Sequence, residues 1–76
     1  MFGQAPSVPI DSPEHRVMQD YHDRAIKDYD ETIRLDPQDA RAYYSRGNAY
    51  GKLGQTERAN QDFDEAIRLN PSLKRP

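Results

Sequence analysis

The ten residues DYDETIRLDP at positions 28–37 return as DFDEAIRLNP at positions 62–71, which is 34 positions further along a chain of 76 residues. When residues 23–37 are aligned with residues 57–71, nine of the fifteen positions are identical. Apolar residues in both copies recur at spacings of three and four, which is the period of one face of an α-helix. The repetition therefore predicts two helices that bury the same face in the same way.

The start and stop signals of the first helix are both readable. Ser12-Pro13-Glu14 is a helix start, because serine caps free backbone N–H groups and proline fits the first helical position. Pro37 disfavours helical geometry at the residue before it. The first helix is therefore predicted to run over residues 13–35, preceded by a flexible arm over residues 1–12.

Two shorter helices follow. Asp39 is placed to cap a helix that begins at Ala40 and runs to about Leu53, where Gly54 ends it. A third helix is predicted over residues 56–69, ending at Asn70-Pro71. Helices joined by such short connections pack antiparallel to their neighbours. Residues 13–76 are thus predicted to form one all-α domain of three antiparallel helices.

Each predicted helix has an inward stripe and charged residues outside it. The inward residues of the first helix are Val17, Met18, Tyr21, Ala25, Ile26, Tyr29, Thr32 and Ile33, and those of the other two are Ala42, Tyr43, Arg46, Ala49, Tyr50, Leu53, Ala59, Phe63, Ala66 and Ile67. Acid-before-base spacing at i, i+4 predicts surface pairs between Asp30 and Arg34 and between Asp64 and Arg68.

A helix-turn-helix period of 34 residues, with these residue types at these positions, resembles the tetratricopeptide repeat family. The resemblance covers residues 40–73 as a full repeat, with Tyr43 and Arg46 standing where the family often has tryptophan and leucine. The matching residues read Tyr43-x-x-Arg46-Gly47-x-x-Tyr50, then Ala59-x-x-x-Phe63, Ala66 and Pro71. It implies a fragment of an α-solenoid built from antiparallel helix-turn-helix repeats.

The first copy matches only the second helix of a repeat. Position 20 is Asp where the second repeat has Gly54, so the inter-helix glycine is missing and the helix continues upstream. The resemblance thus covers about one and a half repeats.

Similarity to this family implies a protein-interaction module without catalytic activity, which binds a peptide or a partner helix. By family position, the groove-facing residues on the second helix are Arg41, Tyr44, Ser45, Asn48 and Lys52. The alternative for the isolated chain is that these side chains are merely solvated.

Half a repeat leaves one flank of the first helix without a partner, because stacked repeats generally need about three units for a self-sufficient core. We therefore expect a homo-oligomer, with a dimer favoured, formed through residues 13–35. The expected contacts are Met18, Tyr21, His22 and Ile26. In the alternative, the N-terminal turns fold back and the chain is a monomeric adaptor, or it is a piece of a longer array.

The charge distribution is uneven along the chain. Residues 11–39 hold nine acidic and four basic residues, whereas residues 40–76 hold seven basic and four acidic residues. Such polarity favours the encounter of two copies. The plainer interpretation is an acidic protein with solvated helix faces.

Other classes of function have little support in the sequence. The chain has no cysteine, no Ser-His-Asp constellation and no glycine-rich phosphate loop, so we expect neither an enzyme nor a cofactor. His15 and His22 lie two helical turns apart, too far for a compact metal site, which makes a histidine-based metal-binding domain the weaker alternative.

Nucleic acid and membrane are also unexpected partners. The five tyrosines lie at helical core spacing without a basic stripe, and the net charge is -2, which argues against nucleic-acid binding. The sequence shows neither a signal peptide nor a run of membrane-spanning length. We expect a soluble, cytoplasmic protein.

Overall fold

A computed structural model describes the backbone of residues 13–76 and the side chains from Met18 onward. It contains three helices, α1 (Pro13–Leu35), α2 (Ala40–Lys52) and α3 (Thr56–Leu69). Helix α2 packs against α1 on one side and against α3 on the other. The predicted all-α fold of three antiparallel helices is confirmed. The predicted arm, its Ser12 cap and the side chain of Val17 lie outside the described residues.

The connections differ in how they hold the helix ends. The Asp39 carboxylate accepts hydrogen bonds from the backbone N–H groups of Arg41 at 3.1 Å and Ala42 at 3.3 Å, which caps α2. Gly54 ends α2 with a φ of 78°, a left-handed conformation that glycine adopts without steric cost. Gln55, at the start of α3, makes no side-chain capping hydrogen bond. The first free N–H groups of α3 therefore lack the support that those of α2 have.

The turn that follows each repeated helix is repeated as well. After α1, the Asp36 carboxylate accepts from the N–H of Gln38 at 3.1 Å. After α3, the Asn70 side chain accepts from the N–H of Ser72 at 3.2 Å. Aspartate and asparagine both form this local turn, which is why the two copies tolerate the exchange.

The core lies on both sides of α2 and is built mainly from small residues. Within the described residues, its buried apolar members are Ile26, Ala42, Ala49, Ala59, Phe63 and Ala66. Gly47 allows the closest approach, since a Cβ atom there would lie 2.8 Å from Cε1 of Phe63 and 3.1 Å from the carbonyl oxygen of Ala59. The helices therefore pack closely but bury few large side chains.

Two expectations about α1 and α3 are wrong. Met18 and Tyr21, which the periodicity places in the inward stripe, are 62% and 70% exposed, because none of the helices from Pro13 onward covers that side of α1. The expected surface pairs also do not form. Arg34 binds Glu31 instead of Asp30.

Arg68 likewise binds Glu65, whereas Asp64 binds Arg75. The Arg34 guanidinium holds the pKa of the Glu31 carboxyl below its ordinary value, and Arg68 does the same to Glu65. The two pairs lie 34 positions apart, so this local pairing is another part of the repeat.

None of the helices in the described part of the chain is long and apolar enough to cross a membrane.

Candidate functional site

Helices α1 and α3 share a set of residues on one helix face. Within the described residues, this face is buried on α3 but not on α1. Four residues of α3 are buried, namely Ala59, Asp62, Phe63 and Ala66. Their counterparts 34 positions earlier are Ala25, Asp28, Tyr29 and Thr32, of which Asp28 is exposed and the others are half-buried. Helix α2 covers α3 along this face, whereas none of the helices in the described residues covers α1 in the same way.

This uncovered side of α1 forms a shallow depression. It is lined by Tyr21, Arg24, Ala25, Asp28 and Tyr29, which we call the open face of α1. An adjoining groove runs between α1 and α2 and shares three of these residues, Tyr21, Ala25 and Tyr29. The other residues that line this groove are His22, Ser45, Asn48, Ala49 and Lys52. The open face and the groove are therefore one continuous surface.

The structure brings together residues from both predicted sets. Ser45, Asn48 and Lys52 lie in the groove beside Tyr21 and His22. Toward the N-terminal end of α1, Met18 lines a further depression that His22 and Lys52 share. The predicted peptide-binding residues of α2 and the predicted self-association residues of α1 thus border the same surface.

Three predicted site residues lie elsewhere. Tyr44 packs away from the groove, because its ring lies 5.3 Å from that of Phe63 and its hydroxyl donates to the carbonyl oxygen of Lys74 at 2.8 Å. Ile26 is only 9% exposed and belongs to the core, so it is not a surface contact of the single chain. Arg41 is exposed near the start of α2, outside the residues that line the groove.

His22 lies against its neighbour rather than near a set of metal ligands. Its ring is 5.3 Å from that of Tyr21 in an edge-to-face arrangement. Among the side chains from Met18 onward, no three potential ligand groups lie close enough to hold a metal ion. The side chain of His15 lies outside the described residues.

A polar contact that joins all three helices lies on the other side of α2. The Arg46 guanidinium donates to both carboxylate oxygens of Asp62, at 2.8 and 2.7 Å, and to Asp30 at 2.7 Å. Its Cζ atom also lies 5.7 Å from the ring centre of Tyr43 and 5.8 Å from that of Tyr50. The hydrogen bonds to Asp62 are the main reason that the pKa of Arg46 is raised above its ordinary value. Arg46 therefore ties α2 to both of its neighbours.

The sequence-based prediction missed two residues of the open face and one exposed apolar residue of α1. Asp28 and Arg24 line the open face, and Leu35 is 69% exposed at the C-terminal end of α1. A signal for the first two was present, because the 34-residue alignment pairs Asp28 with Asp62 and Arg24 with Arg58. The alignment alone did not identify Asp28 and Arg24 as site residues, because the contacts of Asp62 with Arg46 and of Arg58 with Tyr50 are seen only in the structure.

The comparisons with known proteins agree with this helical arrangement. A family model described as TPR repeat matches residues 20–54, and a second, described as tetratricopeptide repeat, matches residues 40–73. The first match spans most of α1 together with α2, and the second spans α2 and α3. Neither the search of curated proteins nor that of solved structures found a match.

Proposed function

The chain belongs to the tetratricopeptide repeat family, with about one and a half repeats, and from this premise we propose that it self-associates through α1. We also propose that it binds a peptide or partner helix along α2. Repeats of this family generally mediate protein–protein interaction and are typically non-catalytic. The proposed function is therefore that of a soluble, cytoplasmic interaction module without an enzymatic reaction of its own.

The observation that carries self-association is the uncovered side of α1. All three large apolar side chains that are exposed in the described part of the chain lie on this helix: Met18, Tyr21 and Leu35, at 62%, 70% and 69%. Apolar area that no element of the same chain covers is the usual mark of an interaction site. A second copy would remove this area from water.

Charge supports a second copy as the occupant. Residues 11–39, which include α1 from Pro13 to Leu35, hold nine acidic and four basic residues, whereas residues 40–76 hold seven basic and four acidic ones. When the acidic part of one chain meets the basic part of another, opposite charges face each other in both directions. This arrangement favours a two-fold dimer over an open chain of copies.

The polar strip of α2 supports peptide binding on the same surface. The Ser45 hydroxyl and the Asn48 amide line the groove and offer hydrogen-bond donors and acceptors to an extended backbone. Lys52 at one end of the groove and the exposed Arg41 at the start of the helix favour a ligand with acidic groups. Tyr44 takes no part in this proposal, because its hydroxyl is bonded to Lys74.

Light scattering behind size exclusion, over a hundredfold range of protein concentration, tests self-association. We expect a discrete dimer that Met18→Glu and Tyr21→Glu each convert to monomer, because both place a charge in the apolar contact. Lys27→Glu is the matched control, since Lys27 is exposed on α1 but does not line the open face or the groove. Ile26→Glu is unsuitable, because it would place a charge in the core.

A monomer at every concentration would refute self-association. It would favour the alternative, a monomeric adaptor or a segment of a longer array whose uncovered flank receives a different protein.

A further inference from the structure

We propose that the open face of α1 binds a helix of another polypeptide that carries the pattern Arg-Gly-x-x-Tyr, with Asp28 receiving the arginine. The inference rests on the proposed function in one respect, namely that the uncovered side of α1 is an interaction surface. It names a second occupant for this surface, a helix of stated sequence pattern, which competes with a second copy of the chain for Tyr21 and the rest of the open face.

Helix α3 shows how this face recognises a helix. Asp62 receives the forked guanidinium of Arg46 through two hydrogen bonds, at 2.8 and 2.7 Å. The Phe63 ring lies so close to the next residue, Gly47, that a side chain there would clash. These two contacts select an arginine followed by a glycine.

A third contact extends the pattern by one turn. The Arg58 guanidinium carbon of α3 lies 5.6 Å from the ring centre of Tyr50, which follows Arg46 by four residues on α2. A cation over an aromatic face at this distance is attracted by the electrons of the ring. An aromatic residue four positions after the arginine is therefore part of what the face of α3 binds.

Helix α1 presents the same three groups in the same register. Arg24, Asp28 and Tyr29 correspond to Arg58, Asp62 and Phe63, each 34 positions earlier. All three line the open face, and Asp28 is exposed whereas Asp62 is 5% exposed. Within the described residues, the side chains of Arg24 and Asp28 form no ion pair. The charged recognition groups on α1 are thus present and, among the described side chains, without an ion-pair partner.

The helix that carries this pattern comes from a different polypeptide, because α2 of a second copy is already in use. Its Arg46 and Gly47 are held by Asp62 and Phe63 of its own α3. If α2 of the second copy left its own α3 to bind α1 of the first copy, the face of that α3 would become exposed. One face is thus uncovered for each face that is covered, so the exchange brings no net gain of contacts. A separate helix with the same pattern carries no such penalty.

The sequence of α2 itself supplies the probe. A fluorescently labelled synthetic peptide with the sequence of residues 39–54 is titrated with the full chain, and binding is followed by fluorescence anisotropy. We expect saturable binding, which Asp28→Arg weakens at least about tenfold, the typical effect of losing a charge-assisted hydrogen bond. A peptide carrying Arg46→Asp should bind the Asp28→Arg chain better than the parent peptide does, because the exchanged charges again attract.

One chain variant separates this site from the rest of α1, and one peptide variant tests the glycine of the pattern. Asp23→Arg makes the same change of charge on the opposite side of α1, as judged from 3.6 residues per turn, and should leave binding unchanged. A peptide with Gly47→Leu should bind more weakly, because its side chain would meet the Tyr29 ring. Binding that resists Asp28→Arg would instead place the peptide on α3, in exchange for α2, and would overturn the proposal.

The result is distinguishable from that of the self-association test. A dissociation constant of about 1 mM already corresponds to weak binding. If no saturable binding is seen up to this concentration of the chain, the helix-binding proposal is refuted, whether or not the chain dimerises. Peptide binding by a chain that remains monomeric in light scattering would refute self-association alone. Only if the chain neither binds the peptide nor dimerises would α1 be ruled out as an interaction surface.

Discussion

At the residue scale, Arg46 connects the three helices because its guanidinium has a donor for each neighbour. Asp62, with a side chain that is only 7% exposed, takes the bidentate contact, whereas the Asp30 side chain is 52% exposed. A charge buried without its partner destabilises a fold far more than an exposed pair stabilises it. The two carboxylates therefore differ in importance, although both lie 2.7 Å from Arg46.

Replacing Arg46 with methionine is expected to lower the free energy of unfolding by about 3–5 kcal/mol, since Asp62 is left buried without a cation. Arg46→Lys should also destabilise, because an ammonium group cannot reproduce the two-pronged contact. Asp30→Asn should cost less than about 1 kcal/mol. Urea denaturation followed by circular dichroism measures all three.

The double variant Arg46→Met with Asp62→Leu provides the control for this prediction. Removing both charged partners and filling the space with apolar atoms should restore most of the lost stability. If the double variant were as unstable as Arg46→Met, the buried charge would not be the cause.

Gly47 and Gly51 lie one turn apart on α2 and provide a second test at this scale. Gly47→Ala is expected to destabilise by about 1–3 kcal/mol, because the new methyl group would press on the Phe63 ring and the Ala59 carbonyl. Gly51→Ala should stabilise by roughly 0.5–1 kcal/mol, since its Cβ would meet Ala59 at an ordinary 4.0 Å and alanine favours the helix. Equal effects in thermal denaturation would contradict the structure.

At the element scale, α1 and α3 show that one sequence pattern can lead to two different surroundings. Leu35 is 69% exposed, whereas its counterpart Leu69 is half-buried. The residues are identical and occupy the same place on their helices, so local propensity does not explain the difference. It follows from the neighbours, because α3 has its repeat partner α2 and α1 has no such partner among the described residues.

The helix ends also differ, and the difference predicts where stability can be gained. Gln55→Asp is expected to raise the free energy of unfolding by about 0.5–1 kcal/mol, since aspartate can accept from the free N–H groups of α3. Asp39→Ala should lower it by about 1 kcal/mol, because α2 loses both capping hydrogen bonds. Urea titrations of the two variants and the parent chain measure these free energies of unfolding. If Asp39→Ala left the free energy of unfolding unchanged, the cap would not contribute to stability.

At the scale of the whole molecule, the described residues combine a small core with a helix, α1, that is covered on one side only. Of the six buried apolar residues in the described part of the chain, four are alanines, so burial of large side chains contributes little to stability. Short repeat arrays depend on the contacts between neighbouring helices. An additional partner on α1 would therefore add much to the stability of a fold this small.

The melting temperature should accordingly depend on protein concentration. If the chain dimerises through α1, a hundredfold increase in concentration above the dissociation constant raises the melting temperature by about 5 °C, because dimerisation stabilises the folded state by mass action. Tyr21→Glu should remove this dependence without lowering the melting temperature of the dilute protein, since Tyr21 is 70% exposed. Differential scanning calorimetry at several concentrations measures both quantities, and a melting temperature independent of concentration would argue against the dimer.

Much of the architecture was predictable from local signals. The helix ends follow from Pro37, Gly54 and Pro71, whose backbone preferences act whatever the neighbours are. The period of 34 residues identified the repeat, and the half-repeat predicted an uncovered side on α1. The site was predictable only in part. Ser45, Asn48, Lys52, Tyr21 and His22 line the groove, whereas Tyr44 and Ile26 do not.

The sequence by itself thus determined the three helices, the repeat and the helix with a missing partner, because these depend on backbone preferences and on the spacing of apolar residues. Only the tertiary structure decided which carboxylate Arg46 binds, that Tyr44 turns toward Lys74, and that Asp28 is exposed while Asp62 is buried. Such contacts join residues from different helices. They depend on how the helices are placed relative to one another, which the spacing within a single helix does not specify.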